Sequence, residues 1–478
     1  MKREPAAGIP LIYRVTRWIS SASLALFYRR IDAVTPPGAS ARNGFDPVGA
    51  GPVVLAANHP NYIIDALAIA TRTGRHVQFV GKGPLLDRWP LLSPFLRRLG
   101  VIPIYRIEDM RDGRRPSNRN SFEYCADVLD AHGVICMFAE GRSHAEPRVR
   151  DLRTGTARIV LEAESRRGYR LGVRLIPVGL YFPEEDRFFS DGVVVFGEDL
   201  ALAPFLAQHR TDPARAVRAL TLALQDAMRA LTLHVPDPGW TTFVGQMYDL
   251  TRWSPTPEVV DPALDQLRLR QAITAGIERY RSQQPENAQE FRVRVSRLWR
   301  RSEAWRRHRL PARGEAARRR GFFARLRDVV ALPLATLGFA YHAPPYLVPK
   351  LWAHWLVPSR EKKAFVKFLV GTPTFLAWYG LTLRWLTRHE SGEGRKTIAV
   401  AWLGAGPLTG ILALRMRAHR RRWLDAFRGV GLESDVRVGA EIASQRGELL
   451  SEFEPWLEQP TEPEPDSAPD PVSEADKG

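Results

Sequence analysis

Residues 53–65 read VVLAANHPNYIID, an apolar run followed by a short polar stretch and a second apolar start. The run Val53–Ala56 predicts a buried strand, and the apolar residues of Ala66–Ala70 predict a helix directly afterwards. Asn58 and His59 fall at the junction, where a chain that turns from strand to helix exposes its side chains. This strand, turn and helix indicate the fold class, because the same texture is repeated further along the chain.

Short apolar runs alternate with helix-length segments from Pro52 to about Gly197. The runs are Val53–Ala56, His76–Val80, Val134–Phe138, Arg174–Val178 and Val193–Phe196. Strands separated in this way predict an α/β domain with a mostly parallel central sheet covered by helices. Pro177 lies inside one run and predicts an edge strand or a bend there, because proline cannot donate to a ladder.

Changes of texture divide the chain into six predicted segments. Apolar residues recur at helical spacing after about Leu200, and the tail is rich in Pro, Glu and Asp. The segments are 1–50, an amphipathic membrane-associated helix and lead-in; 51–200, the α/β domain; 201–327, a helical extension with a basic end; 328–425, apolar membrane-embedded helices; 426–458, a C-terminal helical segment; and 459–478, a disordered acidic tail.

The chain has a formal net charge of +17, which indicates the kind of partner it can bind. So many cations favour an anionic surface, and both membrane lipid and nucleic acid qualify. The basic segment, residues 294–327, interleaves arginines with Trp299, Trp305, Phe322 and Phe323. That composition is typical of a segment on an anionic membrane surface, and the alternative is a solvated helix face.

Three apolar stretches follow the basic segment, at Val329–Tyr341, Phe368–Leu383 and Thr397–Leu414. Only the last approaches the roughly 20 residues that cross a bilayer. We expect the last two to span the membrane as a hairpin joined by His389–Lys396, with lysines and arginines flanking it on the cytoplasmic side. The alternative is that all three are buried helices of a globular domain.

The N-terminus and the cysteines both suit a cytoplasmic location. The stretch Leu11–Phe27 is interrupted by Arg14 and Arg17, so it predicts an interfacial amphipathic helix and not a signal peptide. Cys125 and Cys136 are too few for a disulfide framework and read as buried thiols of a reducing compartment. We therefore predict the inner (cytoplasmic) membrane, with the α/β domain on its cytoplasmic face.

His59 and Asp65 are the candidate catalytic pair. A neutral imidazole can act as a general base near physiological pH, which a hydroxyl needs before it can attack a thioester. A carboxylate on the far ring nitrogen would fix the tautomer. Residues six apart do not share a helix face, so the pairing requires a turn at Pro60 and Asn61. The alternative is that Asp65 caps the helix and His59 is a loop residue.

Two further strand ends carry cations. Gly100–Arg106 ends on Arg106, which suits bidentate capture of a phosphate, although a strand-end arginine is usually a surface residue. Phe138–His144 ends in a glycine turn whose Arg142 and Ser143 could hold phosphate oxygens. Glu140 could instead be a structural anchor for that turn.

In this order the segments around His59, Arg106, Glu140 and Pro177 resemble the blocks of the glycerophospholipid acyltransferase family. Those blocks run Asn-His-x-Ser with a downstream Asp, a strand ending in Arg, Glu-Gly-Thr-Arg, and Ile-Pro-Val. Here the first spacing is His-x5-Asp and the third block reads Glu140-Gly141-Arg142-Ser143. Both departures resemble a glycerol-3-phosphate acyltransferase branch, as do Leu152-Arg153-Thr154-Gly155 and Phe188-Phe189-Ser190.

The resemblance implies the roles of the site residues. His59 is then the base and Asp65 its orienting partner, and the substrate-binding residues are Asn58, Arg106, Glu140, Gly141, Arg142 and Ser143. Acyl-CoA or acyl-carrier protein is the implied donor, a co-substrate rather than a cofactor. The implied acceptor is glycerol 3-phosphate or a lysophosphatidic acid.

Two other functions remain to be compared with this one. A catalytically inactive peripheral membrane protein would bind anionic lipid through the basic segment, but it is expected to lack the His or the Asp. A nucleic-acid binder fits the charge, but the apolar stretches after Val329 argue against it. No metal is expected, because no His-Glu-x-x-His spacing occurs. The partners are therefore membrane lipid and the acyl donor, with the oligomeric state left open.

Overall fold

A seven-stranded sheet forms the centre of the first half of the chain, with the order β1-β7-β6-β2-β5-β3-β4. The strands are β1 (Tyr28–Val34), β2 (Val53–Ala57), β3 (Val77–Lys82), β4 (Ile102–Ile104), β5 (Val134–Phe138), β6 (Arg174–Tyr181) and β7 (Ser190–Phe196). All neighbours pair in parallel except β6 and β7. The predicted α/β fold class is confirmed.

The structure is a computed structural model. It describes residues 9–35, 47–88, 93–105, 118–185, 187, 189–253, 262–308, 322–356, 360–418 and 433–458. The helices up to residue 231 are α1 (Leu11–Phe27), α2 (Ile63–Thr71), α3 (Gly83–Arg88), α4 (Ser93–Arg98), α5 (Arg119–Asp130), α6 (Gly155–Arg166), α7 (Ala203–His209) and α8 (Pro213–Leu231). Those that follow are α9 (Thr241–Thr251), α10 (Ala263–Gln283), α11 (Pro285–His308), α12 (Phe322–Leu356), α13 (Arg360–Leu386), α14 (Gly392–Ala418) and α15 (Glu433–Glu458).

Strand β2 lies at the middle of the sheet, and every one of its five residues is fully buried. Its alternate residues enter two apolar layers. Val54 and Ala56 pack with α5, α6 and α8, whereas Val53, Leu55 and Ala57 pack with α1 and α2. A strand covered on both faces is a continuous apolar run in the sequence, which is why β2 could be predicted.

Pro177 predicted an edge strand or a bend, and the edge position is wrong. Strand β6 lies inside the sheet, between β2 and β7. The antiparallel ladder with β7 begins at Val178, one residue after Pro177. The carbonyl of Pro177 accepts from Gly197 N–H at 2.8 Å, so its backbone groups point to the β7 side where the ladder ends. The sheet therefore tolerates a proline at this position.

The sheet and the helices that cover it extend beyond the predicted limits of residues 51 and 200. The segment expected to be only a lead-in contributes β1, which pairs with β7. Its alternation of charged and apolar residues, such as Arg29 and Arg30 beside Ile31, hid it from a search for apolar runs. At the other end α8 packs on the sheet through Leu220, Leu224 and other buried residues, although we had placed it in a separate extension.

The chain divides into two units, residues 1–241 with 256–271 and 310–432, and residues 242–255 with 272–309 and 433–478. The second unit has an aromatic core in which Phe291 stacks on Phe453 and Tyr280 stacks on Trp456. Residues 309–321 of the basic segment and the acidic tail 459–478 lie outside the described residues.

The basic segment begins on α11 of the second unit, and part of its charge is paired there. Arg294 contacts Glu452, and Arg301 binds Glu441 through two hydrogen bonds. These arginines hold α11 against α15. The helix face that the alternative describes as solvated is thus partly exposed here and also contacts α15.

The three stretches that were predicted to be membrane-embedded form helices α12, α13 and α14 of the first unit. Both α13 and α14 pack mainly against α12 and little against each other, so the expected hairpin is not the main contact. Among the described helices none combines the length and the apolar run needed to cross a membrane. The expectation of transmembrane helices is therefore not supported. Polar residues interrupt every stretch, and α12 contains four internal prolines.

Candidate functional site

The site lies at the carboxyl edge of the sheet, where β2 and β5 end side by side. Ala57 is the last residue of β2 and is paired with Phe138, the last residue of β5. The turn with His59 follows one strand, and the loop from Ala139 to Thr154 follows the other. Because the two strands are parallel and in register, their following segments must lie beside each other.

His59 and Asp65 meet as the sequence suggested. Nδ1 of His59 lies 2.8 Å from Oδ2 of Asp65, and Asp65 is fully buried. The same oxygen accepts from Asn61 N–H at 2.7 Å. Burial raises the pKa of Asp65, and the hydrogen bond from His59 opposes that shift. The carboxylate therefore holds Nδ1 protonated and leaves Nε2 as the acceptor.

A strained turn makes this pairing possible. Tyr62 has a φ of 51°, a left-handed conformation that a bulky residue adopts only under constraint. It immediately precedes α2, whose first turn includes Asp65. The reversal at Tyr62 brings Asp65 back beneath His59, which a regular helix could not do for residues six apart. This is the turn that the pairing required.

The His59 ring is held by an aromatic wall. It stacks on Phe138 with centroids 3.7 Å apart and an interplanar angle of 10°. Its side chain is 16% exposed, and Nε2 has no hydrogen-bond partner within the part of the chain that the structure describes. Its free nitrogen can therefore reach a proton on a bound alcohol.

Residues 140–144 form the other wall of the site. Gly141 has a φ of 78°, which favours glycine and creates the sharp turn after β5. Oε1 of Glu140 accepts from His59 N–H at 3.3 Å, and Oγ of Ser143 accepts from Tyr62 N–H at 3.1 Å. Both side chains bind the backbone of the turn around His59. Arg142 is exposed.

Comparison with known proteins identifies this region. The family model described as Acyltransferase matches residues 38–181. Residues 38–181 are therefore similar to an acyltransferase domain. The resemblance seen in the sequence blocks is thereby confirmed.

Two curated proteins are similar to part of the acyltransferase domain. Glycerol-3-phosphate O-acyltransferase 2 of Saccharomyces cerevisiae is 25% identical over 121 residues, which cover 25% of this chain and 16% of that protein. An uncharacterized acyltransferase of Schizosaccharomyces pombe is 30% identical over 105 residues, 22% of this chain and 15% of that protein. The matched region thus spans about one sixth of these relatives.

A solved structure is also similar, namely the crystal structure of the 1-acyl-sn-glycerophosphate (LPA) acyltransferase PlsC from Thermotoga maritima. The TM-score is 0.30 and the sequence identity 15%, with 46% of this chain and 78% of that chain covered.

Three residues expected to bind substrate have other contacts in the acyltransferase domain. The Asn58 amide donates to the carbonyl of Leu180 at 3.0 Å and accepts from its N–H at 2.7 Å, which ties the turn to β6. Glu140 and Ser143 bind backbone N–H groups, as described above. These contacts shape the turn around His59, and substrate binding by the three residues stays a prediction.

Arg106 and Phe188 of the predicted blocks lie outside the described residues. The Leu152–Gly155 block leads into α6, and Leu152 N–H donates to the side chain of Gln225 at 3.0 Å. This hydrogen bond therefore ties the end of the loop after β5 to α8. Among the described residues no group of three or more potential metal-ligating side chains occurs.

Sequence reasoning missed the contact of His144 and the partner of Asn61. His144 was quoted only as the end of a motif, yet it is buried and contacts Glu140. Asn61 is fully buried and donates to the hydroxyl of Tyr28 at 2.9 Å, which fastens the turn to β1. For Asn61 the available signal was a polar residue two positions after the candidate base His59. Sequence spacing cannot show which strand such a residue reaches.

Proposed function

We propose that this protein transfers a fatty acyl group from a thioester donor to a hydroxyl of a glycerol phosphate acceptor, with His59 as general base. The observation that carries the proposal is the 2.8 Å contact of His59 Nδ1 with buried Asp65, which leaves Nε2 available at the open edge. The name of the yeast relative supports glycerol 3-phosphate as acceptor. A lysophosphatidic acid is the other acceptor of the same chemistry.

The proposed reaction needs no covalent enzyme intermediate. Nε2 of His59 takes the proton of the acceptor hydroxyl while its oxygen attacks the thioester carbonyl carbon. Asp65 stabilises the imidazolium that forms. The tetrahedral intermediate then breaks its carbon–sulfur bond, and the leaving thiolate takes the proton from His59. The products are the ester and the free thiol of coenzyme A or of acyl-carrier protein.

Arg142 is the described cation best placed to bind the acceptor phosphate. It is exposed and follows β5 at the edge where β2 delivers His59. A guanidinium binds phosphate oxygens in a bidentate manner, which would orient the hydroxyl of a small acceptor. Arg142→Ala should raise the acceptor KM and leave kcat nearly unchanged, whereas Arg218→Ala, an exposed arginine on α8, should change neither.

Membrane lipid is the proposed partner of α12, α13 and α14. These helices expose large apolar side chains to an extent that is unusual for a water-facing surface. Examples are Leu337, Trp355, Leu376, Leu381, Val400 and Leu408, all at least 60% exposed. An acyl acceptor or product that resides in a bilayer would then reach the site without crossing water.

The proposal is tested by acyl transfer with purified protein. Labelled acyl-CoA and acyl-carrier protein are each offered with glycerol 3-phosphate, a lysophosphatidic acid and a neutral glycerol as acceptors. We expect transfer to the phosphate-bearing acceptors, and a loss of at least about a hundredfold in His59→Ala with the fold retained by circular dichroism. Unchanged turnover by folded His59→Ala would refute the role of this histidine.

A further inference from the structure

A second histidine–carboxylate pair lies directly behind the first. Nε2 of His144 contacts Oε2 of Glu140, and both residues are buried in the loop after β5. Nδ1 of His144 is buried too and lacks a hydrogen-bond partner among the described residues. Because the ring is enclosed and already bonded, His144 cannot meet a substrate directly. Any role in catalysis must act through its neighbours.

Glu140 and His144 form hydrogen bonds to the backbone on both sides of His59. Oε1 of Glu140 accepts from His59 N–H at 3.3 Å, and His144 N–H donates to the His59 carbonyl at 3.1 Å. The peptide groups on both sides of the His59 α-carbon are therefore fixed by residues 140 and 144. Two bonds of this kind restrict rotation of the backbone and so the direction of the imidazole.

His144 also holds the carboxylate that makes the first of these bonds. Oε2 of Glu140 has two donors, His144 Nε2 and the backbone N–H of Arg150 at 3.0 Å. A buried carboxylate that loses a donor rotates towards another or attracts a proton. The pKa of Asp65 is raised mainly by burial, with a smaller contribution from the charge of Glu140. Any change at Glu140 is therefore felt by the His59–Asp65 pair.

We propose that His144 is a positioning residue for His59, which it orients by donating to Glu140 and by bonding the His59 carbonyl. This inference rests on the proposed function, because it assigns to His144 the task of aiming the general base. The chain Asp65–His59–Glu140–His144 then forms one continuous hydrogen-bonded unit. Its outer nitrogen, Nε2 of His59, is the one available to the reaction.

Three substitutions at residue 144 separate positioning from bulk. His144→Gln keeps a donor at the Nε2 position, His144→Asn keeps polarity but is too short to reach Glu140, and His144→Leu removes the donor at similar volume. All three retain the backbone bond to His59. His76→Leu is the matched control, because His76 is a partly buried histidine that bonds Leu99 O at 3.1 Å immediately before β3. That position is the opposite edge of the sheet.

The kinetic prediction is a loss of kcat without loss of acceptor affinity. Misdirection of a base by a fraction of an ångström to about 1 Å lowers rates by roughly 10- to 100-fold. We expect that loss in His144→Leu and His144→Asn, with the acceptor KM within about twofold and with most of kcat restored in His144→Gln. His76→Leu should retain kcat. Full kcat in folded His144→Leu and His144→Asn would overturn the proposal.

A spectroscopic readout makes the test independent of turnover. Histidine side chains labelled with ¹⁵N report the tautomer of each ring in a long-range proton–nitrogen correlation spectrum, and His59→Ala assigns the His59 signal. We expect a single Nδ1–H tautomer for His59 in the wild type and in His144→Gln, and a shifted or averaged signal in His144→Asn. An unchanged His59 signal in His144→Asn would overturn the positioning role. If the wild type transfers no acyl group, the proposed function fails, but the spectrum still decides whether His144 orients His59.

Discussion

The α/β domain and the three helices α12–α14 place their side chains in opposite ways. In the domain the apolar residues of β2 are fully buried, and the polar groups of the site lie at the edge. In the helices large apolar residues are exposed, whereas His342 and Tyr379 bond each other at 2.7 Å between α12 and α13. The difference teaches that the domain is organised by exclusion of water, while the outer surface of the helices suits an apolar environment.

The largest stability difference is expected between matched leucines of the two regions. Leu55→Ala removes a fully buried side chain of β2 and should cost about 2 to 5 kcal/mol of unfolding free energy. Leu376→Ala on α13 removes a side chain that is 70% exposed and should cost less than about 0.5 kcal/mol. Urea unfolding measures both. Equal losses would abolish the contrast between the regions.

His234, a partly buried histidine that follows α8, should contribute to the pH dependence of stability. Burial is the main cause that lowers the pKa of His234, with Arg229 and Arg148 adding to it, and its Nδ1 accepts from Val149 N–H at 3.0 Å. Because its pKa is lower in the folded state, the unfolded chain binds the proton first as pH falls. The stabilisation is complete above about pH 6.5 and is lost below it.

His234→Asn tests this pH effect, because its amide oxygen can still accept from Val149 N–H but does not titrate. We expect the wild type to lose more stability than His234→Asn between pH 7.5 and about pH 5.5. Thermal unfolding at a series of pH values measures the two slopes. Parallel slopes would show that His234 does not contribute.

A smaller effect is expected inside the helices. Tyr379→Phe removes the hydroxyl that contacts His342 Nε2, while the Nδ1 contact of His342 with Gly338 O remains. One lost hydrogen bond of this kind costs about 1 kcal/mol. Burial raises the pKa of Tyr379 to about 12, so the hydroxyl stays protonated at all working pH values. A loss above about 3 kcal/mol would mean that the polar interior organises these helices more than their packing does.

The smallest expected change in stability accompanies a clear change in lipid binding. Trp355→Ser and Leu376→Ser alter exposed side chains and should leave the unfolding free energy nearly unchanged. Co-sedimentation with phosphatidylglycerol vesicles should fall, whereas Leu222→Ser, an exposed leucine of α8, should not affect it. Undiminished vesicle binding by the double variant would contradict the proposed lipid-facing surface.

The sequence was most informative where one physical effect dominated. The five apolar runs all became strands, because a sheet buried on both faces needs nearly continuous apolar residues. The pairing of His59 with Asp65 was also anticipated, although only the structure supplies the strained turn at Tyr62. Strand β1 was missed because one of its sides is an edge, where charged residues are tolerated.

The sequence was least informative where the place or the contacts of a residue depend on segments far away in the chain. Pro177 was judged by its own lack of an N–H, but its place in the sheet depends on where the ladder with β7 ends. The resemblance implied substrate binding for Glu140 and Ser143, and the structure adds that their side chains accept from backbone groups 81 residues earlier in the chain. Sequence spacing cannot reveal contacts of that separation.

The account depends on an imidazole that Asp65 orients and holds in one tautomer, and Asp65→Asn tests this most directly. The asparagine occupies nearly the same volume but can present an N–H to Nδ1, which would favour the wrong tautomer of His59. Acyl transfer should fall by a factor of about a hundred or more, with circular dichroism unchanged and acceptor KM little altered. A folded Asp65→Asn protein that transfers acyl groups at the wild-type rate would contradict the central claim.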